Sequence, residues 1–126
     1  MGIGRAHHVQ LKVFDLDRSI NFYSAFGFEE RYRVVLSDRE LVFLRQPQTG
    51  FNLELFMWKD QSHAMALHGD TNFHIAFTVQ DMDFAKSELV RLGAVIDENE
   101  KPMVRGGSFL LLRDPNGYEI ELIVEP

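Results

Sequence analysis

The sequence predicts an α+β fold of tandem βαβββ repeats, and three observations carry the prediction. The first is an internal repeat: His8-Val9-Gln10-Leu11-Lys12-Val13-Phe14-Asp15-Leu16-Asp17 returns as His74-Ile75-Ala76-Phe77-Thr78-Val79-Gln80-Asp81-Met82-Asp83, and Gly27 returns as Gly93. The second is alternation, with Val9, Leu11 and Val13 apolar against His8, Gln10 and Lys12, the period of a half-buried strand. The third is matched punctuation late in each half, where Leu44-Arg45-Gln46-Pro47 through Gly50-Phe51-Asn52-Leu53-Glu54-Leu55 returns as Leu112-Arg113-Asp114-Pro115 through Gly117-Tyr118-Glu119-Ile120-Glu121-Leu122. The offset is 66 at His8 and 67 at Glu54, which a one-residue length difference in a single turn would explain.

The elements follow in order. After the first strand, Asp15 or Asp17 caps a helix running to about Phe26, with Leu16, Ile20 and Tyr23 on one face and Gly27 suited to a left-handed end. Phe28 to Val35, Glu40 to Arg45 and Phe51 to Met57 read as strands separated by turns at Ser37-Asp38 and Pro47-Gln48-Thr49-Gly50. Residues 58–72 read as a linker, with Gly69 and no sustained alternation. His74 to Val79 opens the second unit, and Asp81 or Asp83 caps a helix with Phe84, Ala85, Leu89 and Leu92 inward that ends at Gly93. Ala94 to Ile96, Ser108 to Arg113 and Gly117 to Val124 complete it, with Asp114-Pro115-Asn116-Gly117 a strong turn signal. Residues 1–126 are therefore expected to form one domain, with repeat one at about 7–57 and repeat two at about 73–126.

Composition narrows the function. With 126 residues, 45% hydrophobic and 25% charged, the chain fits one compact domain rather than two independent ones. A formal net charge of −6 offers no basic footprint for nucleic acid or an anionic membrane. Cysteine is absent, which removes disulfides, thiolate catalysis and sulfur-ligated metals. Neither a secretory leader core nor a membrane-spanning apolar run is present, so a cytoplasmic protein is expected.

Alternation also assigns faces. Leu53 and Leu55 flank Glu54 as Ile120 and Leu122 flank Glu121, which sends the apolar side chains toward the helices and the carboxylates to the other side. His8 obeys the same rule, whereas His7 on that face would drag Val9, Leu11 and Val13 with it; His7 is expected to point away or fray. Each unit is then a curled sheet with its helix convex and its His and Glu concave, and two such sheets, of one chain or of two, pair around a cleft. Taken singly, each of the four residues reads better as a strand histidine bonded to backbone or as a solvated acid. Together, two imidazoles and two carboxylates suit one divalent ion with positions left open for water or substrate.

These residues resemble the vicinal oxygen chelate superfamily, and within it the glyoxalase I (lactoylglutathione lyase) family. The likeness runs through His8 to Val13, Asp15 to Tyr23, Leu53-Glu54-Leu55, His74 to Val79 and Asp114 to Leu122, nearly the whole chain. It implies His8, Glu54, His74 and Glu121 as ligands of one divalent metal, Ni²⁺, Co²⁺ or Zn²⁺ first and Fe²⁺ or Mn²⁺ as alternatives. It implies a homodimeric lyase or isomerase acting on a small molecule, a 2-oxoaldehyde–thiol adduct or a related substrate with neighbouring oxygens, by proton transfer through a metal-bound enediolate. Glu121 is then the first choice of base, with Glu54 sharing the role. Alternative activities within the resemblance are an epimerase, an extradiol-type dioxygenase, or a bleomycin-resistance type of protein that sequesters a ligand without catalysis.

Substrate recognition is expected from residues that do not repeat. Lys12 stands where the family has Arg, Trp58 where it has Asn, and Asp70 where an Arg would hold a carboxylate. Phe56, Met57 and Trp58 wall an apolar pocket or pack the junction between the repeats, with the pocket favoured for Trp58 and packing for Met57. Arg105, before Gly106-Gly107, is either a substrate cation on a loop or a solvated turn residue. His63 and His68 in the linker read as solvent-exposed.

Overall fold

The computed structural model describes residues 2–62 and 73–126. The chain divides into two compact units, Met1–Leu67 and His68–Pro126. His63, His68, Gly69, Asp70 and most of the expected 58–72 linker lie outside the described residues. Among the described residues, no helix is long and apolar enough to cross a membrane.

The first unit is β1 (Val9–Lys12), α1 (Leu16–Ser24), β2 (Glu29–Val35), β3 (Arg39–Arg45) and β4 (Asn52–Trp58). Its sheet runs β1-β4-β3-β2, with β1 parallel to β4 and the other neighbours antiparallel. Trp58, placed in the linker by its sequence, is the last residue of β4. Asp15 caps α1 by accepting from the Arg18 N–H at 3.1 Å. The helix ends at Ser24, two residues early, and the chain turns through Gly27 at φ 86°. Leu16, Phe22 and Tyr23 of α1 are buried, as are Leu11, Leu53 and Leu55 of the sheet, and α1 packs on β4. Fully burying each such side chain is worth about 1.5–3 kcal/mol. The leucines flanking Glu54 therefore hold the carboxylate on the face away from the helix.

The second unit repeats the pattern with β5 (His74–Thr78), α2 (Met82–Arg91), β6 (Val95–Ile96), β7 (Lys101–Pro102), β8 (Ser108–Arg113) and β9 (Glu119–Val124). β5 is parallel to β9, which pairs antiparallel with β8. Asp81 caps α2 by accepting from the Phe84 N–H at 3.0 Å, and Gly93 follows it at φ 108°. Phe84 is 68% exposed, against the inward expectation. Its buried helix neighbours are Met82 and Leu89, and at 3.6 residues per turn a side chain two places after Met82 faces nearly the opposite way.

The unit's edge strand is broken, which alternation did not predict. β6 and β7 both pair with β8, and between them the Asp97 and Glu98 N–H groups both donate to the Leu111 carbonyl. Four successive polar residues and a proline, Asp97 to Glu100 and Pro102, lack both the alternation and the ladder donor that a continuous strand requires.

The break also corrects the expected single-turn origin of the offset. The repeat offset is 66 at His8, 68 at Leu44 and 67 at Glu54. The second unit has one extra residue in its edge bulge and one in its following turn, Met103 to Gly107 against Leu36 to Asp38 and the first residue of β3. It then loses one in the last turn, since Arg45 pairs with Asn52 and Arg113 with Glu119. All these changes leave the parallel pair intact: Gln10 stands beside Glu54 as Ala76 stands beside Glu121.

The last turn is held by Asp114, 3% exposed. Its Oδ1 accepts from the backbone N–H groups of Asn116 at 2.8 Å and Tyr118 at 2.9 Å. Gly117 takes the left-handed conformation at φ 94°. Replacing Asp114 with Ala strands these donors, and should lower unfolding stability by about 3 kcal/mol. A urea titration should show the midpoint fall at unchanged slope; a loss below about 1 kcal/mol would contradict this account of the turn.

Candidate metal centre

Each unit brings together one of the expected His–Glu pairs. In the first, His8 Nε2 lies 3.4 Å from Glu54 Oε2, with Glu54 the more shielded at 14% side-chain exposure. In the second, His74 Nε2 lies 3.7 Å from Glu121 Oε2. His8 immediately precedes β1 and His74 opens β5, so each imidazole sits at the head of the strand parallel to the one carrying its acid. Among the described residues, no group of three or more His, Asp or Glu is arranged to hold a metal ion.

The surroundings of the two pairs differ. Glu54 Oε1 accepts from the Gln10 amide at 2.6 Å, and the Gln10 carbonyl oxygen in turn accepts from Lys12 Nζ at 2.6 Å. Alternation puts Lys12, Gln10 and Glu54 on one face, so the expected substrate cation is coupled through an amide to the expected ligand. At the corresponding positions the second unit has Thr78 and Ala76, which cannot build this relay.

The histidines also have different neighbours. His74 Nδ1 lies 2.9 Å from Glu119 Oε2, and His8 Nδ1 lies 2.8 Å from His7 Nδ1. The expectation that His7 points away is thus corrected: its ring lies edge-on to His8 and 5.7 Å from Phe43. His7 precedes β1, where the chain is not bound by the pleat. Asn52 donates to the His7 carbonyl at 3.0 Å and fixes this approach. Glu119 and Gln10 join these pairs as neighbours that alternation also places on the same face, since each lies two residues from a named position.

Phe56, the expected pocket wall, is 5% exposed and lies under two cations, Lys12 Nζ at 4.9 Å and the Arg39 guanidinium at 5.5 Å from its centroid. Trp58 packs edge-on against Phe56 and takes Arg39 over its ring at 4.7 Å. Arg39 also forms a two-point contact with Asp38 at 2.9 and 3.0 Å, and the guanidinium holds that carboxyl below its ordinary range. Arg105 is exposed in the Met103 to Gly107 turn, where Gly107 is required at φ 74° because a Cβ would meet the Val124 carbonyl oxygen at 2.1 Å.

A family model described as Glyoxalase/Bleomycin resistance protein/Dioxygenase superfamily matches residues 5–122. The chain is 32% identical to a lactoylglutathione lyase of Haemophilus influenzae, over 92% of this chain and 89% of that one. Its fold is similar to a glyoxalase family protein of Bacillus cereus, with a TM-score of 0.81 at 21% identity over 99% and 96% of the two chains. It is also similar to a fosfomycin resistance protein of Listeria monocytogenes crystallised with Mn(II) and a dihydroxypropylphosphonic acid, with a TM-score of 0.76 at 24% identity over 100% and 93%.

Trp58 is the only tryptophan of the chain, so its emission reads this aromatic surface directly. Arg39→Ala uncovers one face of the indole and should move the emission maximum to longer wavelength. An unchanged spectrum would show that Arg39 does not cover Trp58 in solution.

Proposed function

The chain belongs to the Glyoxalase/Bleomycin resistance protein/Dioxygenase superfamily, and on that premise we propose that it is a divalent-metal-dependent lyase or isomerase of glyoxalase I type. The reading takes His8, Glu54, His74 and Glu121 as the ligand set of one metal ion. The observation that carries it is the equivalent placement of the two His–Glu pairs, each with Nε2 turned toward a carboxylate oxygen. Two atoms that each lie about 2.1 Å from a shared ion stand about 3.0–3.4 Å apart. The first pair meets this spacing at 3.4 Å and the second lies a few tenths of an ångström beyond it at 3.7 Å. The donor set, imidazole nitrogen and carboxylate oxygen without thiolate, suits Ni²⁺, Co²⁺ or Zn²⁺, with Fe²⁺ or Mn²⁺ as further choices. The 32% identity to a lactoylglutathione lyase over nearly the full length of both chains supports this activity over others in the superfamily.

When bound, the ion would polarise neighbouring substrate oxygens and acidify the intervening C–H. The chain's own residues divide the remaining work. Glu54, held at Oε1 by Gln10, is the anchored carboxylate. Glu121 has Ala76 rather than a glutamine at the equivalent neighbour, so no amide at that position restrains it, and it is the group that moves the proton between adjacent carbons. Lys12 and Arg105 would meet the anionic part of a small substrate, and Trp58 its apolar part, with the buried Phe56 backing Trp58 rather than facing the substrate. Lys12 offers a point charge rather than the two-point fork of an Arg.

The chain supplied with Ni²⁺, Co²⁺ or Zn²⁺ should form thioester from methylglyoxal and glutathione. His8→Ala, Glu54→Gln, His74→Ala and Glu121→Gln should each lower metal content. Glu121→Gln should reduce kcat by at least about 100-fold, the lower range of a general base. Absence of thioester with every metal would remove the lactoylglutathione reading, and full metal occupancy in the His8, Glu54 and His74 variants would remove the ligand set.

A further inference from the structure

The two histidines are held by different chemistry, and the difference bears on which ring nitrogen is available. At His74, Nδ1 faces Glu119 Oε2 at 2.9 Å while Nε2 faces Glu121 at 3.7 Å. A carboxylate oxygen only accepts, so the ring nitrogen bonded to it must carry the hydrogen. In a neutral imidazole the other nitrogen then presents its lone pair. Glu119 thus prescribes the tautomer with hydrogen on Nδ1 and a bare Nε2.

The register makes this contact a built one. His74 and Glu119 are direct partners across the parallel pair β5 and β9, and Glu119 is 21% exposed at its side chain. Arg113 stands opposite Glu119 on β8, but its guanidinium is directed to Asp97 at 3.2 Å and to the Gly117 carbonyl at 3.0 Å. At His8 the corresponding contact is with His7 Nδ1, a group that donates in one tautomer and accepts in the other. His7 can match the tautomer of His8 without imposing it. Asn52, the repeat equivalent of Glu119, is used by the His7 carbonyl instead.

We infer that Glu119 is a positioning residue that fixes His74 with its hydrogen on Nδ1 and makes Nε2 the atom offered to a divalent cation. The inference rests on the ligand set proposed above. Carboxylate partners of this kind orient a ligating imidazole and raise its basicity, and their loss typically weakens metal binding by roughly 10- to 100-fold.

Two measurements on the full chain test it. In the metal-free protein, long-range ¹H–¹⁵N correlation spectra of the imidazoles should show His74 bearing hydrogen at Nδ1 and a bare Nε2, a preference that Glu119→Leu abolishes. Ni²⁺ affinity, measured by competition with a chromophoric chelator, should fall roughly 10- to 100-fold in Glu119→Leu. It should recover largely in Glu119→Gln, whose amide oxygen still accepts. Hydrogen on Nε2 in the wild-type spectrum, or wild-type tautomer and affinity in Glu119→Leu, would overturn the inference. A Glu119→Gln loss as large as that of His74→Ala would overturn it by making Glu119 a ligand. Wild-type affinity in His74→Ala would instead overturn the underlying ligand assignment, and is distinguishable because the metal-free spectra report the His74–Glu119 contact on its own.

Discussion

The register of two parallel strand pairs, β1 with β4 and β5 with β9, is the constraint on which the site depends. Side chains alternate across a strand, so a slip of one residue would carry Glu54 and Glu121 into the helix-facing core and expose the buried Leu53, Leu55, Ile120 and Leu122. Burying an unpaired carboxylate costs several kcal/mol, and exposing the leucines forfeits their transfer energy. The two penalties act together. The apolar core thereby determines where the polar chemistry lies, and duplication of the core pattern duplicates the chemistry.

Against that shared frame the differences acquire meaning. Length changes fall in the broken edge strand and in turns, away from the parallel pairs. Side-chain changes fall beside the duplicated residues: Gln10 against Ala76 next to the acids, and Asn52 against Glu119 next to the histidines. One unit thus secures its acid through an amide relay from Lys12, and the other secures its histidine through a carboxylate. A duplicated scaffold with one anchored acid and one less restrained acid suits a reaction in which a group must hold position while another moves a proton.

Much of this is legible in the sequence. Strand alternation, the caps at Asp15 and Asp81 and the left-handed glycines at 27 and 93 are local signals, and local physics decides them. His8 and Glu54 fall on one face because both obey period-2 logic. The features absent from local sequence signals are tertiary or irregular. His7 lies outside the regular strand, so alternation could not aim its ring. Phe84 is large and apolar, which alone points it inward, but Met82 occupies the buried face. The divided β6 and β7 edge depended on pairing to β8, and the contact of Arg39 with Trp58 on the pairing of β3 with β4. Neither pairing is encoded within one short window.

The central claim is that the repeated residues form one ligand set. X-ray absorption spectroscopy of the Ni²⁺-loaded chain tests it most directly, because outer-shell scattering counts imidazoles and elemental analysis counts ions. The account predicts one ion per chain with two imidazole nitrogens and a remainder of oxygen ligands. Fewer than two imidazoles per ion, or a separate ion for each His–Glu pair, would contradict it.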